Sequence, residues 1–484
     1  MQKLKTVLIY LFMYLNPLFL INKMKKFFNL LGQALRGQEQ DYTTGSINRA
    51  IFLLSVPMIL EMVMESLFAV VDIFFVAKIS TEAIATVGLT ESVLTLVYSV
   101  AIGLSMAATA VVSRRVGEKQ PEEAGHTAAQ VILISLVLGV IIGIVGYFGA
   151  EHILQAMGGQ ASLIQTGSQF TRILFLSSPA IILLYTLSGV LRGGGDAAVA
   201  MRSLWIANGI NILLCPLFIF GWGLFPELGV AGSAVATTIG RSVGVLYQLY
   251  ALTKGNGMVR VQASHFRANW ILIRNLVSVA AGGTGQFLIG SASWVFLMRL
   301  LSDFGPDIVA GYTIAIRIII FTILPSWGMA NAAATLVGQN LGAQKPDRAE
   351  TSVWRAAFFN FVFLGIVAIV FFLFAAPIVG WFNGNPVSVK TGVECLRIVC
   401  LGYLAFAYGM VVTQAFNGAG DTKTPTILNL ICFWAVEIPL AYLLAKPFDF
   451  GPTGVYVAIA ISESLLAVLG VWLFRKGKWK IVAV

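Results

Sequence analysis

Three carboxylates lie in one apolar stretch, VPMILEMVMESLFAVVDIFFV (Val56–Val76), at Glu61, Glu65 and Asp72. On an α-helix turning 100° per residue, Glu65 falls about 40° from Glu61 and Asp72 about 20° from it, so the three share one stripe. An ionised acid near the middle of a bilayer costs about 2.5–3.5 kcal/mol on insertion scales, which turns such a stripe toward a cavity and away from lipid. Desolvation penalises the charged form of a carboxyl. The chemistry on offer is therefore uptake and release of a proton, or capture of a small cation. Asp72 is the leading candidate, Glu65 the second, and the two would titrate as a coupled pair. Glu61, nearer the start of the helix, is expected to reach water. Pro57 removes a backbone bond fifteen residues before Asp72 and can hinge the helix, so protonation and bending can be linked. The competing reading is a structural ion pair, with Arg241 as partner for one acid. Met58, Met62, Met64 and Phe68 of the same helix read as packing.

These residues need a scaffold that tolerates oil. The chain of 484 residues is 58% hydrophobic and 11% charged, with a mean hydropathy of +0.85. A soluble domain carries about 25% charged residues, so lipid is the solvent for most of this chain. Twelve apolar runs, each near the roughly 20 residues that cross a bilayer, fall at 50–77, 84–111, 127–148, 170–191, 202–221, 229–252, 272–300, 306–337, 353–377, 394–416, 425–445 and 453–474. They are continuously apolar, not alternating, which makes them helices and not barrel strands. The fold expected is an all-α polytopic membrane protein. Before the first run, Thr6–Ile21 reads either as a signal-like segment or as sequence upstream of a start at Met24, with residues 1–23 not translated; the second is favoured.

The net charge of +10 is distributed by side. With the N-terminus inside, one set of loops holds Lys25, Lys26, Arg114, Arg115, Lys119, Arg192, Arg202, Lys254, Arg260, Arg267, Lys345, Arg348, Lys423, Arg475 and Lys476. The other set holds few basic residues, such as Lys78, Lys390 and Lys446. This bias places both termini in the cytoplasm and removes the need for a nucleic-acid partner. Cys215, Cys395, Cys400 and Cys432 show no metal or disulfide spacing. His126, His152 and His265 cannot complete a catalytic set, so an enzyme is not expected, nor a cofactor beyond a coupling ion. The Gly-rich LRGGGD lacks the Lys–Ser/Thr of a phosphate loop. Its glycines end one helix and Asp196 caps the next, as Asp421 does in NGAGD.

The chain repeats itself. VSRRVGEKQPEEA (Val112–Ala124) matches VGQNLGAQKPDRA (Val337–Ala349), and LRGGGD (Leu191–Asp196) matches FNGAGD (Phe416–Asp421), both at an offset of 225 residues. LGVAGSAVA (Leu228–Ala236) and FGPTGVYVA (Phe450–Ala458) slip from that offset by three. Six runs per copy give parallel repeats, that is, two six-helix lobes related by a pseudo-two-fold along the membrane normal, with the site at midplane between or within the lobes. The expected organisation is a cytoplasmic N-terminal segment 1–47, an N-lobe 48–252, a polar cytoplasmic linker 253–269, a C-lobe 270–475 and a tail 476–484. Such a pair of lobes can rock.

Pro57, VVDIFFVAKIS with Asp72, QPEEA, LRGGGD, NILLCPLFIFGWG and FPELGVAGSAVATTIGR, in this order over residues 45–475, resemble the multidrug and toxic compound extrusion family, and within it the prokaryotic DinF-like branch. The resemblance implies a multi-pass protein of the bacterial inner membrane, monomeric, exporting small organic, often cationic or amphipathic, compounds against H+ or Na+. It maps the branch's helix-1 aspartate onto Asp72, its helix-5 asparagine onto Asn211 and its helix-6 threonine onto Thr237. A second helix-5 aspartate would fall on Cys215, and Glu65 stands where relatives often carry Gln. One acid is lost and one gained, so Glu65 is expected to compensate. Cys215 weakens a Na+ site at Asp72, Asn211 and Thr237, which favours H+. Another branch places acids on helices 7 and 10. Here helix 7 has Gln286, a weak candidate for lining the substrate cavity along with Cys215, and helix 10 has no acid in its core. Glu437 and Glu463 form a second tier, paired with each other or with Arg317, or acting as a second relay. Two alternatives stay open: a Na+-coupled drug antiporter, and a lipid-linked precursor flippase of the wider superfamily.

Overall fold

The computed structural model describes residues 17–37, 41–382 and 384–482, and every regular element among them is helical. Most of the Thr6–Ile21 stretch, and with it the expectation that residues 1–23 are dispensable, lies outside the described residues. The helices are α1 (Pro17–Arg36), α2 (Ile47–Val76), α3 (Thr81–Gly117), α4 (Pro121–Ala156), α5 (Ala161–Leu176), α6 (Ser178–Gly193), α7 (Ala197–Phe220) and α8 (Val230–Lys254). After these come α9 (Trp270–Ser302), α10 (Pro306–Gly342), α11 (Pro346–Gly380), α12 (Pro386–Leu401), α13 (Tyr403–Gly418), α14 (Lys423–Ala445) and α15 (Gly451–Arg475).

Seven of the described helices (α3, α4, α7, α10, α11, α14 and α15) can cross a bilayer by length and composition. The pairs α5–α6 and α12–α13, bent by 41° and 59°, make nine spans. α2, α8 and α9, with 30, 25 and 33 residues, are equally long and complete the twelve. The most apolar windows, with mean hydropathies of 2.8 in α4 and 2.9 in α11, are only 39% and 22% buried. Phe148, Ile366, Ile369 and Leu373 stand exposed on them. A protein in water hides such surface; a chain solvated by lipid presents it.

The repeat is written in backbone torsions as well as in letters. Lys119 and Gln344, 225 residues apart, both close a helix in the left-handed region, at φ 59° and 57°. Each is followed by a proline, Pro121 or Pro346, in the first turn of the next helix, where a missing N–H costs nothing. Gly195 and Gly420 hold φ 86° and 87°, a conformation that glycine adopts without a Cβ penalty. Gly229 and Gly451, at φ 55° and 56°, mark the slip of three.

The same symmetry governs how the two halves meet. A Cβ on Gly117 would strike the Gln339 carbonyl, and one on Gly342 the Arg114 carbonyl. Because 114/339 and 117/342 are repeat mates, this is one contact made twice. Gly338 faces Ser113, its own mate, so the pseudo-two-fold passes between α3 and α10 there. Further along, Gly103 lies against Ala280 and Thr284, and Gly328 against Met58 and Ile59, again as mates. Glycine is required at these points by close approach. Gln339 Nε2 donates to the Gly193 carbonyl (3.0 Å) and Arg114 Nη2 to that of Val482 (2.8 Å) at the same end. The halves are thus joined where Arg114, Arg115, Lys119 and Lys345 lie. Toward the other end, Leu67, Val70 and Phe74 of α2 and Trp294 and Val295 of α9 are exposed.

The segment after α8, expected as a plain polar linker, is docked. His265 in the short 3-10 turn Ala263–Phe266 is buried, with Nε2 at 2.9 Å from Glu122 Oε2. Gln130 Nε2 donates to the His265 and Arg267 carbonyls, each at 3.0 Å, and Val259 and Val261 are buried. The periodicity argument misses this because the two valines and one glutamine act singly, without a helical period.

Candidate functional site

α2 carries the acids on the face it packs against α6, α7 and α8. Asp72 is buried, 7% exposed. Its Oδ1 accepts a hydrogen bond from Ser233 Oγ of α8 at 2.6 Å and has Cys215 Sγ of α7 at 3.7 Å. One turn before Cys215, Asn211 Nδ2 donates to Thr237 Oγ1 at 2.9 Å, while Asn211 Oδ1 is buried without a donor. Asp72, Asn211, Cys215 and Thr237 therefore meet at one junction of α2, α7 and α8. Glu91 of α3, which is exposed, interacts electrostatically with both Asp72 and Arg241. Asp72 is not at mid-depth as expected: α2 starts at Ile47 and stops at Val76, so Asp72 is four residues from its end and Glu61 at its centre.

Glu65, half-buried, accepts from Tyr185 OH at 2.6 Å. The Tyr185 ring packs edge-on to Tyr98, with centroids 5.9 Å apart. Arg241 donates Nη2 to Tyr98 OH at 2.9 Å and lays its guanidinium over the rings of Tyr98 (5.3 Å) and Phe68 (5.7 Å). Among the described residues no ion pair joins Arg241 to a carboxylate, so the competing reading of a structural pair with Arg241 finds no support here. Two tyrosines stand between the charges. A planar guanidinium that gains from aromatic faces is held where they are, and Glu65 interacts with it through charge across the two phenols.

Glu61 differs most from expectation. It does not reach water: it is 3% exposed, and Arg192 Nη1 donates to its Oε1 at 2.9 Å. Arg192, expected in a loop, is also buried and donates Nη2 to Ser105 Oγ at 2.9 Å. The reason is that α6 stays helical to Gly193, which folds Arg192 back against α2 and α3. The repeat mates of this pair are Gln286 and Asn417, which are buried and exchange two amide hydrogen bonds, at 2.9 and 3.1 Å. Gln286 Nε2 also donates to the Thr422 carbonyl at 3.1 Å, so Gln286 ties α9 to α13 and α14. Pro57 sits next to Met58 and Ile59, where α2 presses on Gly328 of α10.

In the second half, Glu437 is the last residue of a π-helical stretch of α14 (Leu430–Glu437) and is 2% exposed. Glu463 of α15 is close enough to interact with it through charge. Among the described residues neither forms an ion pair, and Arg317, offered as their partner, is exposed.

Glu91, Tyr98, Tyr185, Ser233 and Arg192 complete these clusters and were not singled out in the sequence. One signal was present: Tyr98 is seven residues after Glu91, about 20° round the helix, so α3 carries its own polar stripe. No group of three or more His, Cys, Asp or Glu suited to a metal ion occurs among the described residues.

The MatE family model matches residues 57–217 and 285–443 of this chain. The probable multidrug resistance protein YoeA of Bacillus subtilis is 24% identical over 435 residues, covering 89% of this chain and 94% of that protein. The probable multidrug resistance protein NorM of Thermotoga maritima is 25% identical over 434 residues, covering 90% and 93%. Among solved structures, a MOP superfamily transporter from Pyrococcus furiosus superposes with a TM-score of 0.84 at 27% identity, covering 93% of this chain and 98% of that one. A multidrug resistance MATE family transporter in an outward-facing conformation gives 0.85 at 26%, with the same coverage.

Proposed function

This chain belongs to the MatE family, a family of membrane transporters and not of enzymes, and from that premise we propose that it is a secondary active multidrug exporter. It exchanges small organic compounds, cationic or amphipathic in character, for H+ by rocking two lobes, residues 48–252 and 270–475. It works as a monomer in a bacterial inner membrane with both termini in the cytoplasm. Relatives named as multidrug resistance proteins over nearly their whole length support the substrate class.

The observation that carries the coupling step is the setting of Asp72. It is buried, has no cation within ion-pair distance among the described residues, and is held by a hydroxyl and a thiol from two other helices. A carboxylate can only accept from Ser233, whereas a carboxylic acid can donate to it, so a proton on Asp72 reverses the bond joining α2 to α8. That change is made on the helix that touches the opposite half at Gly328. Glu65, tied to Arg241 through Tyr185 and Tyr98, is the second titratable group. Glu61, held by Arg192, positions α2. With the halves joined at the basic end, this is the outward-facing state.

In everted vesicles, adding an organic cation dissipates a preformed pH gradient in the wild type, and Asp72→Asn abolishes this; a variant that still does so removes the assignment. A second reading has one observation in its favour. Asn211 Oδ1, buried without a donor beside Thr237 and Asp72, is an oxygen suited to Na+. Dye efflux at fixed pH with and without Na+ separates the two.

A further inference from the structure

The N-lobe mechanism leaves the carboxylates of the second half unused. Glu437 Oε2 and Glu463 Oε2 are both buried without a hydrogen-bond donor, in a region where no Lys, Arg or His pairs with either among the described residues. Buried acids are ordinarily paired or fully hydrogen-bonded, so two of them together lack a positive partner. Glu463 lies twelve residues from each end of α15, about 18 Å along the helix and hence at mid-depth.

Glu463 also lines a cavity of ≈ 40 Å³ whose walls include Trp294 of α9, Tyr312 and Ile319 of α10, and Tyr403 and Phe406 of α13. The aromatic walls are themselves held. Tyr312 stacks on Tyr456 with ring centroids 6.1 Å apart and planes 5° from parallel, and Tyr403 OH lies 3.4 Å from Thr322 Oγ1. Trp294 is 39% exposed and forms the rim. A space of that size takes about three water molecules or one compact head group. Four aromatic rings around one carboxylate suit a positive group that is poorly hydrated. An inorganic cation needs several oxygen ligands, and these walls are mostly carbon.

We propose that this cavity is a subsite for a compact organic ammonium group, with the aromatic faces around the cation, Glu463 as its counter-charge and Glu437 behind it. The proposal rests on the reading of this chain as an exporter of small organic compounds, but the site is separate from Asp72. The test is isothermal titration of the purified full chain, in a neutral detergent at fixed pH, with choline and with its uncharged carbon isostere 3,3-dimethylbutan-1-ol. Choline binds the wild type, and the isostere binds at least about tenfold more weakly. Glu463→Gln weakens choline about tenfold, Glu463→Asp retains most of the affinity, and a surface control, Glu82→Gln, stays within about twofold of wild type. Trp294→Phe, which keeps an aromatic face, binds more tightly than Trp294→Ala. Absence of choline binding, equal binding of the isostere, an unchanged affinity in Glu463→Gln, or loss of binding in Glu82→Gln overturns the subsite. If the wild type exports dye in vesicles yet does not bind choline, only the subsite falls; if it exports nothing, the exporter reading falls instead.

Discussion

Neutralising Glu61 alone should destabilise the chain more than neutralising Glu61 and Arg192 together. In Glu61→Gln, Arg192 keeps its charge in a place where it is 8% exposed, with Ser105 Oγ at 2.9 Å as a neutral acceptor. Removing one member of a buried ion pair costs about 3–5 kcal/mol, because the survivor keeps its desolvation penalty. The remaining bond to Ser105 puts the expected loss near about 3 kcal/mol. Arg192→Asn in the same chain removes the stranded charge and copies Gln286 and Asn417, the repeat mates that already bind each other by two amide hydrogen bonds. Asparagine is shorter than arginine, so the double variant should still sit about 1–2 kcal/mol below wild type. Arg192→Asn alone strands Glu61 and should likewise cost about 3 kcal/mol, so the cycle gives a coupling energy of about 4–5 kcal/mol. Thermal unfolding of all four proteins in one detergent, at one scan rate because such melts are often irreversible, provides the ranking. A double variant as unstable as the two single losses combined refutes the reasoning. Packing of each side chain, and not their charges, would then hold α2 to α6.

Cys215→Asp puts a second carboxylate beside Asp72, Asn211 and Thr237, and dye efflux should become stimulated by Na+ at fixed pH; unchanged Na+ dependence counts against that junction as the coupling site. Gly338→Val places a side chain onto Ser113 on the pseudo-two-fold, so efflux should be lost while the chain still purifies folded, and adding Ser113→Gly should recover part of it. Outside the membrane, Lys480 Nζ lies 2.6 Å from Glu350 Oε2 and 3.6 Å from Asp347 Oδ1. The Lys480 hydrogen bond holds the Glu350 carboxyl below its usual 4.5, and the two acids lift Lys480 above its usual 10.5. Stability from Glu350 is fully present above 4.5 and lost as pH falls through its lowered folded value; stability from Lys480 is fully present below 10.5 and lost as pH rises through its raised folded value. Lys480→Ala should therefore cost less than about 1 kcal/mol at pH 7, given its exposure, and the difference from wild type should shrink as pH falls below 4.5.

The twelve spans and the repeat were legible because both are long-range averages: twenty apolar residues, or two stretches sharing one offset, survive errors in any single position. Asp72, Asn211, Cys215 and Thr237 converge on one junction for a related reason, since each lies on a helix whose place in the bundle is fixed by the repeat and the family resemblance. What could not be read was the partner of each charge. Arg192 looked like a loop residue because it stands one position before LRGGGD's glycines. Only the length of α6, running to Gly193, decides that it turns inward. Depth was legible in the run itself: within 50–77 Asp72 already stands five residues from the end, and the observed end of α2 changes that only to four.

The 225-residue offset also explains why the two halves are chemically unequal. Symmetry forces α2 and α9, and α6 and α13, into equivalent positions, so the tie between them must exist in both halves. One half makes it with a charge pair and the other with two amides. A duplicated scaffold can spend its charges in only one copy without losing the tie. Glu61 and Arg192 cancel each other, which leaves Arg241, Asp72, Glu65 and Glu91 to set the field of the N-lobe. In the C-lobe the corresponding cations are absent: Arg192 becomes Asn417, and Glu463 stands where Arg241 does at the 222 offset that Gly229 and Gly451 confirm in their torsions. Inverting the sign at that one position turns a guanidinium braced by phenols into a carboxylate facing aromatic walls. The first arrangement supplies its own positive charge. Among the described residues the second has no cation paired with its carboxylate, which is the difference that choline binding would probe.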